Sequence, residues 1–337
     1  MHRGMVAGSC AGNLPFELHT FGFASLRMLD RTSQWMARHA TKMMVLSILV
    51  GIGIPPLAAT LRPFLAVIVW AILFLAMLQF DWEAVRGYLR RPLLMTLAVG
   101  WLVLATPLVL SPAVTAIGLP IGIAMALILS AASAPIMSTP AICSIIGLDA
   151  ALSLVVLLLT TLVVPFTLPI IAIELLDLEI GLTTHELMWR LGTLIGSAMV
   201  LAVIAQRFLG AARLTAATPT IDSCKLIVLL AMAVALMDGI GALLLDQPVY
   251  ILLIVALSFV ANAGMQLFSI APFLAVGKRP ALTIAFSAGN RNMAIILAVI
   301  PVGIMPDLEL YLVLAQVPMY VLPSLLVPLY KRVFALE

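Results

Sequence analysis

Runs of apolar sequence close to twenty residues long recur along this chain, separated by short segments that hold nearly all of its charge. A helix needs about 20 such residues to cross a hydrocarbon layer, and inside that layer every backbone N–H and C=O must find a partner within the protein. Of the 337 residues, 64% are apolar and 10% charged, with a mean hydropathy of +1.20. That balance excludes a soluble domain. The alternation of a membrane barrel does not appear, so the chain is expected to be an all-α membrane protein embedded in a lipid bilayer.

Ten spans are predicted, at about 43–60, 63–80, 92–110, 117–147, 149–174, 187–207, 225–245, 248–276, 280–305 and 308–330. The connections on one side hold fifteen Lys and Arg: Arg3, Arg27, Arg31, Arg38, Lys42, Arg86, Arg90, Arg91, Arg207, Arg213, Lys225, Lys278, Arg279, Lys331 and Arg332. The other side keeps Arg62 and Arg190, among Glu174, Asp177, Glu179, Glu186, Asp246 and Asp307. Cytoplasmic loops carry the basic excess, so both termini are expected in the cytoplasm and the chain in the cell (inner) membrane. Residues 1–42 read as a cytoplasmic tail. Within it Phe16, Phe21, Phe23, Leu26, Leu29 and Trp35 alternate with arginines, either as an interfacial segment or as a plain tail.

Cys10, Cys143 and Cys224 have no paired spacing and the four histidines lie outside the spans, so neither a disulfide framework nor a metal site is expected. No histidine, carboxylate pair or Ser-Lys dyad falls inside the bilayer, and no phosphate-binding glycine loop is present. An enzyme is therefore not expected, nor an ATP-driven pump. A net charge of +3 does not imply nucleic acid.

One cation has no place at a membrane surface: Arg291, in the apolar stretch 281–304, between Asn290 and Asn292 and just after Ser287 and Gly289. A guanidinium at that depth costs about 2.5–3.5 kcal/mol on insertion scales, which marks a functional site. Span 4 carries Pro135 and Pro140 with Ser133, Ser138, Thr139 and Ser144 around them. Each proline removes a backbone donor and bars helix in the residue before it, which predicts a break near 134–140. Span 9 has its candidate break at 287–292. Shifting the sequence by 158 places Asp149 on Asp307, Pro165 on Pro323 and several leucines and valines on one another. That shift covers five spans, an odd number, so the halves 43–174 and 187–333 are expected to be inverted repeats.

These residues resemble the bile acid:sodium symporter family, within the larger group that holds arsenite and auxin carriers. The similarity covers roughly 43–333 and is clearest in the stretch Phe74 to Phe80 leading to Arg90-Arg91-Pro92, and in Ala134-Pro135 through Gly147-Leu148-Asp149 to Thr160, Thr161, Pro165 and Pro169. The resemblance implies ten helices in two inverted repeats, with a panel of spans 1, 2, 6 and 7 against a core of spans 3–5 and 8–10. The broken spans 4 and 9 would cross near the midplane. Sodium-coupled members carry a Ser-Asn pair after Pro-Gly-Gly in span 4 and Glu-Thr-Gly-Met-Gln-Asn in span 9. Here Pro135-Ile136-Met137 and Ser287-Ala288-Gly289-Asn290-Arg291-Asn292 stand in their places. Of the hydroxyl ligands in span 5, Ser153 matches and Leu157 replaces a threonine. Losing the carboxylate and gaining a guanidinium argues against sodium coupling, so sodium is at most a weakly supported cofactor.

The expectation is a secondary transporter for a small organic anion, working by alternating access, as a uniporter or coupled to protons. Arg291 would supply the positive charge that sodium supplies in relatives and grip a carboxylate or sulfonate, helped by half-helix amino termini. Alternatively it is a structural latch paired to an acid and never touches substrate. Asn290, Asn292, Ser287, Thr139 and Ser138 at the breaks, with Asn262 and Gln266 one turn apart in span 8, complete the candidate substrate site; the amides and hydroxyls serve equally as structural hydrogen-bonding groups. Asp238 and Ser153 are the candidate coupling residues. Asp238 lies thirteen residues from Lys225, as Arg291 lies from Lys278, about 20 Å at 1.5 Å per residue, so the two charges are expected to pair. An arsenite- or auxin-type efflux carrier, or a non-transporting receptor or structural subunit, are the competing readings.

Overall fold

In a computed structural model of the chain, the described residues are 35–36, 39–40, 42–80, 82–177, 181–301, 303–319, 321–322 and 330. The expected tail and interfacial segment, and the stretch 323–329 at the end of the tenth span, lie almost wholly outside them. Among the described residues the chain is helical, with a single isolated β-bridge.

The elements are α1 (Lys42–Gly53), α2 (Pro55–Leu61), α3 (Leu65–Met77), α4 (Trp82–Leu89), α5 (Pro92–Gly100), α6 (Thr106–Ile117), α7 (Ile121–Ala132), α8 (Thr139–Ile146), α9 (Ala150–Pro169), α10 (Thr184–Leu209), α11 (Ala211–Leu236), α12 (Ile240–Asp246), α13 (Pro248–Phe268), α14 (Lys278–Gly289), α15 (Met293–Leu297) and α16 (Pro306–Leu314). Six helical runs are long and apolar enough to cross a membrane: Pro55–Met77, Pro92–Ile117, Ala150–Leu175, Thr184–Leu209, Ala211–Leu236 and Pro248–Val276. The chain is a multi-pass membrane protein by this measure. The expected fourth and ninth spans are split instead into α7 with α8 and α14 with α15.

Local chemistry sets the ends. Pro55, Pro92, Pro248 and Pro306 open helices at a position whose N–H has no intrahelical acceptor. Gly118 and Gly147 close α6 and α8 at φ of 73° and 82°, in the left-handed region a glycine enters at no steric cost. Asp149 caps α9 by accepting from the Leu152 amide, and Thr183 with Glu186 forms a reciprocal capping box on α10.

Two boundaries differ from expectation. The loop expected between spans 1 and 2 is a 3-10 turn at Arg62–Phe64, continuous with α2 and α3. The connection expected over 208–224 is helical: Gly210 alone separates α10 from α11, which starts fourteen residues before Lys225 and ends at Leu236. The alanines at 211, 212, 216 and 217 favour helix strongly enough to carry it through Pro219.

Helix α3 packs on α10 and α11, and α2 packs on α11. Trp70 donates to Ser197 Oγ at 2.9 Å, and Gln206 Nε2 donates to the carbonyls of Met77 and Leu78 at 3.1 Å. A second set forms around α9, with α7 against α6 and α16, α13 against α14, and α8 and α14 against α9. The sets meet where α9 touches α10 and where α15 touches α3.

Candidate functional site

The two helix interruptions lie against each other. Helix α7 stops at Ala132, Ser133 turns to extended backbone, and α8 begins at Thr139 with Pro140 in its first turn. Opposite, α14 ends at Gly289 and α15 begins at Met293. Between them the chains pair antiparallel: Ile136 N donates to Asn290 O at 2.9 Å and Asn292 N donates to Ala134 O at 2.7 Å, with Pro135 facing Arg291. Facing residues of such a pair exchange no hydrogen bond themselves, so the N–H that Pro135 lacks is not needed there. The span 4 break thus falls where the prolines predict, and the span 9 break is confined to 290–292. Exchanging 134 with 290, 135 with 291 and 136 with 292 turns either bond into the other.

Arg291 is 2% exposed, and each of its three nitrogens donates to the protein. Nε donates to Ala288 O and Nη1 to Ser133 O, both at 2.7 Å, while Nη2 donates to Thr106 Oγ1 at 3.2 Å. Both carbonyls belong to carboxyl-terminal ends of half helices, α14 and α7, where unpaired carbonyls concentrate partial negative charge. The guanidinium therefore clamps two helix carboxyl ends. The expected arrangement had amino-terminal ends and Arg291 jointly gripping an anion; the groups bonded to Arg291 are two carboxyl-terminal carbonyls and a threonine hydroxyl. The expected partner is corrected as well: Asp238 sits exposed in the turn after α11, followed by Gly239 at φ 76°, and is not bonded to Arg291.

The other expected residues divide by role. Ser287 Oγ donates back to Thr283 O at 2.9 Å, as buried helical serines do. Gln266 Nε2 donates to Asn262 Oδ1 at 2.7 Å and Gln266 Oε1 accepts from Tyr330 at 2.8 Å. Both amides are buried; the first bond lies within α13 and the second ties α13 to Tyr330. Gly289 packs directly on this pair: a Cβ there would lie 2.4 Å from Gln266 Cγ and 2.6 Å from the Asn262 carbonyl. Asn290 donates from Nδ2 to Phe286 O at 2.9 Å. Its Oδ1, Thr139 Oγ1 and Ser153 Oγ are buried without a hydrogen-bond partner, as is Gln316 Nε2.

Ser138 and Asn292 line a cavity of about 240 Å3 between α3 and α11 on one side and the crossing with Gln316 and Met319 on the other. Lys225 and Asp222 stand in its wall. Lys225 Nζ meets Asp222 Oδ1 at 2.7 Å and donates to Gln79 Oε1, while Gln79 Nε2 donates to Asp222 Oδ1 at 3.1 Å. A larger groove of about 400 Å3, between α6, α7, α13 and α16, reaches Thr106 and Arg291 at its floor. Its walls are almost wholly apolar and Val109, Ile117, Val260 and Phe268 turn outward, so it offers a ligand little to recognise.

Sequence reasoning missed Lys225, Asp222, Gln79 and Gln316. Gln316 satisfies the criterion that singled out Arg291, a polar side chain in an apolar run, and was legible on that ground. The Asp222–Lys225 spacing of three is readable only once 211–236 is known to be helical.

Two aspartates beyond the crossing are held alike. Tyr88 donates to Asp149 Oδ2 and Tyr250 donates to Asp307 Oδ1 at 2.8 Å, and these are the aspartates that the 158-residue shift superposes. Burial, with the Asp149 carboxylate beside it, pushes the Tyr88 phenol up to about 12, so it remains a donor at neutral pH. Arg62 pairs with Glu309 at 3.0 Å, tying the turn before α3 to α16.

Compared with known proteins, the chain matches no protein-family model and no curated protein.

Proposed function

We propose that this protein is a secondary transporter of the bile acid:sodium symporter type, which moves a small organic anion across the cell inner membrane by alternating access. The reading takes the chain as ten spans in two inverted repeats, with α1–α3 and α10–α12 as the panel and the remaining helices as the core. The observation that carries it is the buried antiparallel pairing of two helix breaks beside a cavity that separates two groups of helices. Irregular backbone at membrane depth is tolerated where protein buries it or a cavity adjoins it, and transport sites of secondary carriers are built that way. The near two-fold exchange of its hydrogen bonds and the matched Tyr–Asp pairs accord with inverted halves.

In this reading Arg291 keeps the crossing together and is not the anion's counter-charge. A fixed guanidinium on the half-helix carbonyls removes the need for a metal ion there, so uptake is expected without sodium. The cavity reaches Lys225, which is bonded to Gln79; on the expected orientation its mouth is cytoplasmic, and Arg62–Glu309 closes the opposite end. Along α3 the cavity begins at Val69, seven residues past Arg62, and Gln316 lies seven residues past Glu309, about 10 Å in each case.

Two measurements test this. A thermal-shift screen of the purified protein against carboxylates, sulfonates and bile salts is expected to find an anion that stabilises equally with and without sodium; no stabilising anion, or stabilisation only with sodium, contradicts the reading. Glu309→Gln is expected to weaken the closed end by about 1–2 kcal/mol, a five- to thirty-fold shift in the open population. A cysteine at Leu73 should then label several-fold faster with an impermeant thiol reagent added from the periplasmic side, and the exchanged pair Arg62→Glu with Glu309→Arg should restore slow labelling.

A further inference from the structure

Resting on the carrier reading, we propose that Lys225 receives the anionic group of the transported molecule and that Gln316 reads a hydrogen-bond acceptor at its far end. The ligand is then an elongated carboxylate with an apolar body and a distal carbonyl or similar acceptor.

Charge comes first. Among the described residues lining the cavity, the charged ones are Lys225 and Asp222. An ammonium has three N–H donors; Asp222 and Gln79 take two of those on Lys225, which leaves one for a ligand. Lys225 is the more enclosed member of its pair, at 27% side-chain exposure against 52% for Asp222. Asp222 can therefore turn to water at little cost when a ligand carboxylate takes its place, and it takes the lysine back on release. The exchange conserves charge within the cavity, as a carrier that must let go of its cargo requires.

The far end supplies the second contact. Gln316 is 5% exposed and its Nε2 has no partner, a state in which a buried donor costs free energy until something accepts from it. It lines the same cavity, with Asn292 and Ser138 nearby. Between the two ends the walls are Leu73, Ala76, Met232 and Met319, and the methionines adapt to an apolar chain of varied shape. Val69, near the Gln316 end, and Gln79, bonded to Lys225, are ten residues apart, about 15 Å along the helix; the Lys225 and Gln316 side chains reach into that span from both ends.

The test uses the full chain in lipid nanodiscs with octanoate and 7-oxooctanoate as probes, read by calorimetry. Wild type is expected to bind 7-oxooctanoate about tenfold more tightly than octanoate. Lys225→Met should weaken both at least tenfold, Asp222→Asn should tighten both by removing the competing carboxylate, and Gln316→Leu should abolish only the keto advantage. The opposite signs at 225 and 222 separate ligand contact from a purely structural ion pair, whose loss would weaken binding from either side. If wild type binds the probes and Lys225→Met binds them equally well, the assignment of Lys225 is overturned while the carrier reading stands. If wild type binds neither these nor any anion of the thermal-shift screen while its melting remains cooperative, the carrier reading fails with it.

Discussion

Arg291→Met is expected to destabilise the protein by about 2–4 kcal/mol and to abolish transport. The substitution leaves the carbonyls of Ser133 and Ala288 without donors, and each orphaned buried group costs about 1–3 kcal/mol. Methionine is opposed by one favourable term, since it spares the desolvation of a buried cation, and an apolar replacement of buried charge is sometimes neutral. The surroundings decide the sign. Here the cation separates two helix carboxyl ends, each equivalent to about half a negative charge, and without it they repel across the crossing. Arg291→Lys should fall between wild type and methionine, because one ammonium cannot match the fork that reaches Ala288, Ser133 and Thr106 together. Thermal melts of the purified variants give the ranking; a methionine variant that melts at or above wild type would remove the clamp from the account.

Gly289→Ala is expected to cost about 3 kcal/mol, the upper end of what overpacking by a single methyl produces. The added carbon would stand 2.6 Å from the backbone oxygen of Asn262 and 2.4 Å from Gln266 Cγ. A flexible side chain can yield, but the carbonyl of α13 cannot without moving the helix, and with it the Gln266–Asn262 and Gln266–Tyr330 bonds. Gly264→Ala supplies the control on the facing helix α13, since nothing lies within 4 Å of a Cβ there. It should be neutral or stabilising by up to about 1 kcal/mol through helix propensity. Equal melting of the two alanine variants would show that the α13–α14 approach is not tight.

Much of the architecture was written in single residues. Pro135 and Pro140 announced the break in span 4 because a missing N–H and a steric bar act on immediate neighbours. Asp149 and Asp307, matched by self-alignment, turned out to share a tyrosine donor each. The helical start at Ala211 was hidden because Gly210, Arg213 and Pro219 carry the breakers and charge of a connection, whereas the alanines between them favour helix. For Asn262, Gln266 and Ser287, composition could name a polar group in an apolar helix but not whether its partner was a neighbour or a ligand.

What residue order alone established is membrane residence, helicity, the two interruptions and the one cation at depth, all of which follow from solvation and backbone sterics within a few residues of each site. Tertiary structure alone decided that Arg291 bonds to helix carboxyl ends and not to Asp238, and that Lys225, Asp222 and Gln316 share a cavity. Arg291 meets Ser133 and Thr106, and Lys225 shares a cavity with Gln316, across about 90 to 185 residues of sequence, and a guanidinium can donate to a carbonyl or to a carboxylate. Its partner is therefore selected by which groups the packing delivers to it.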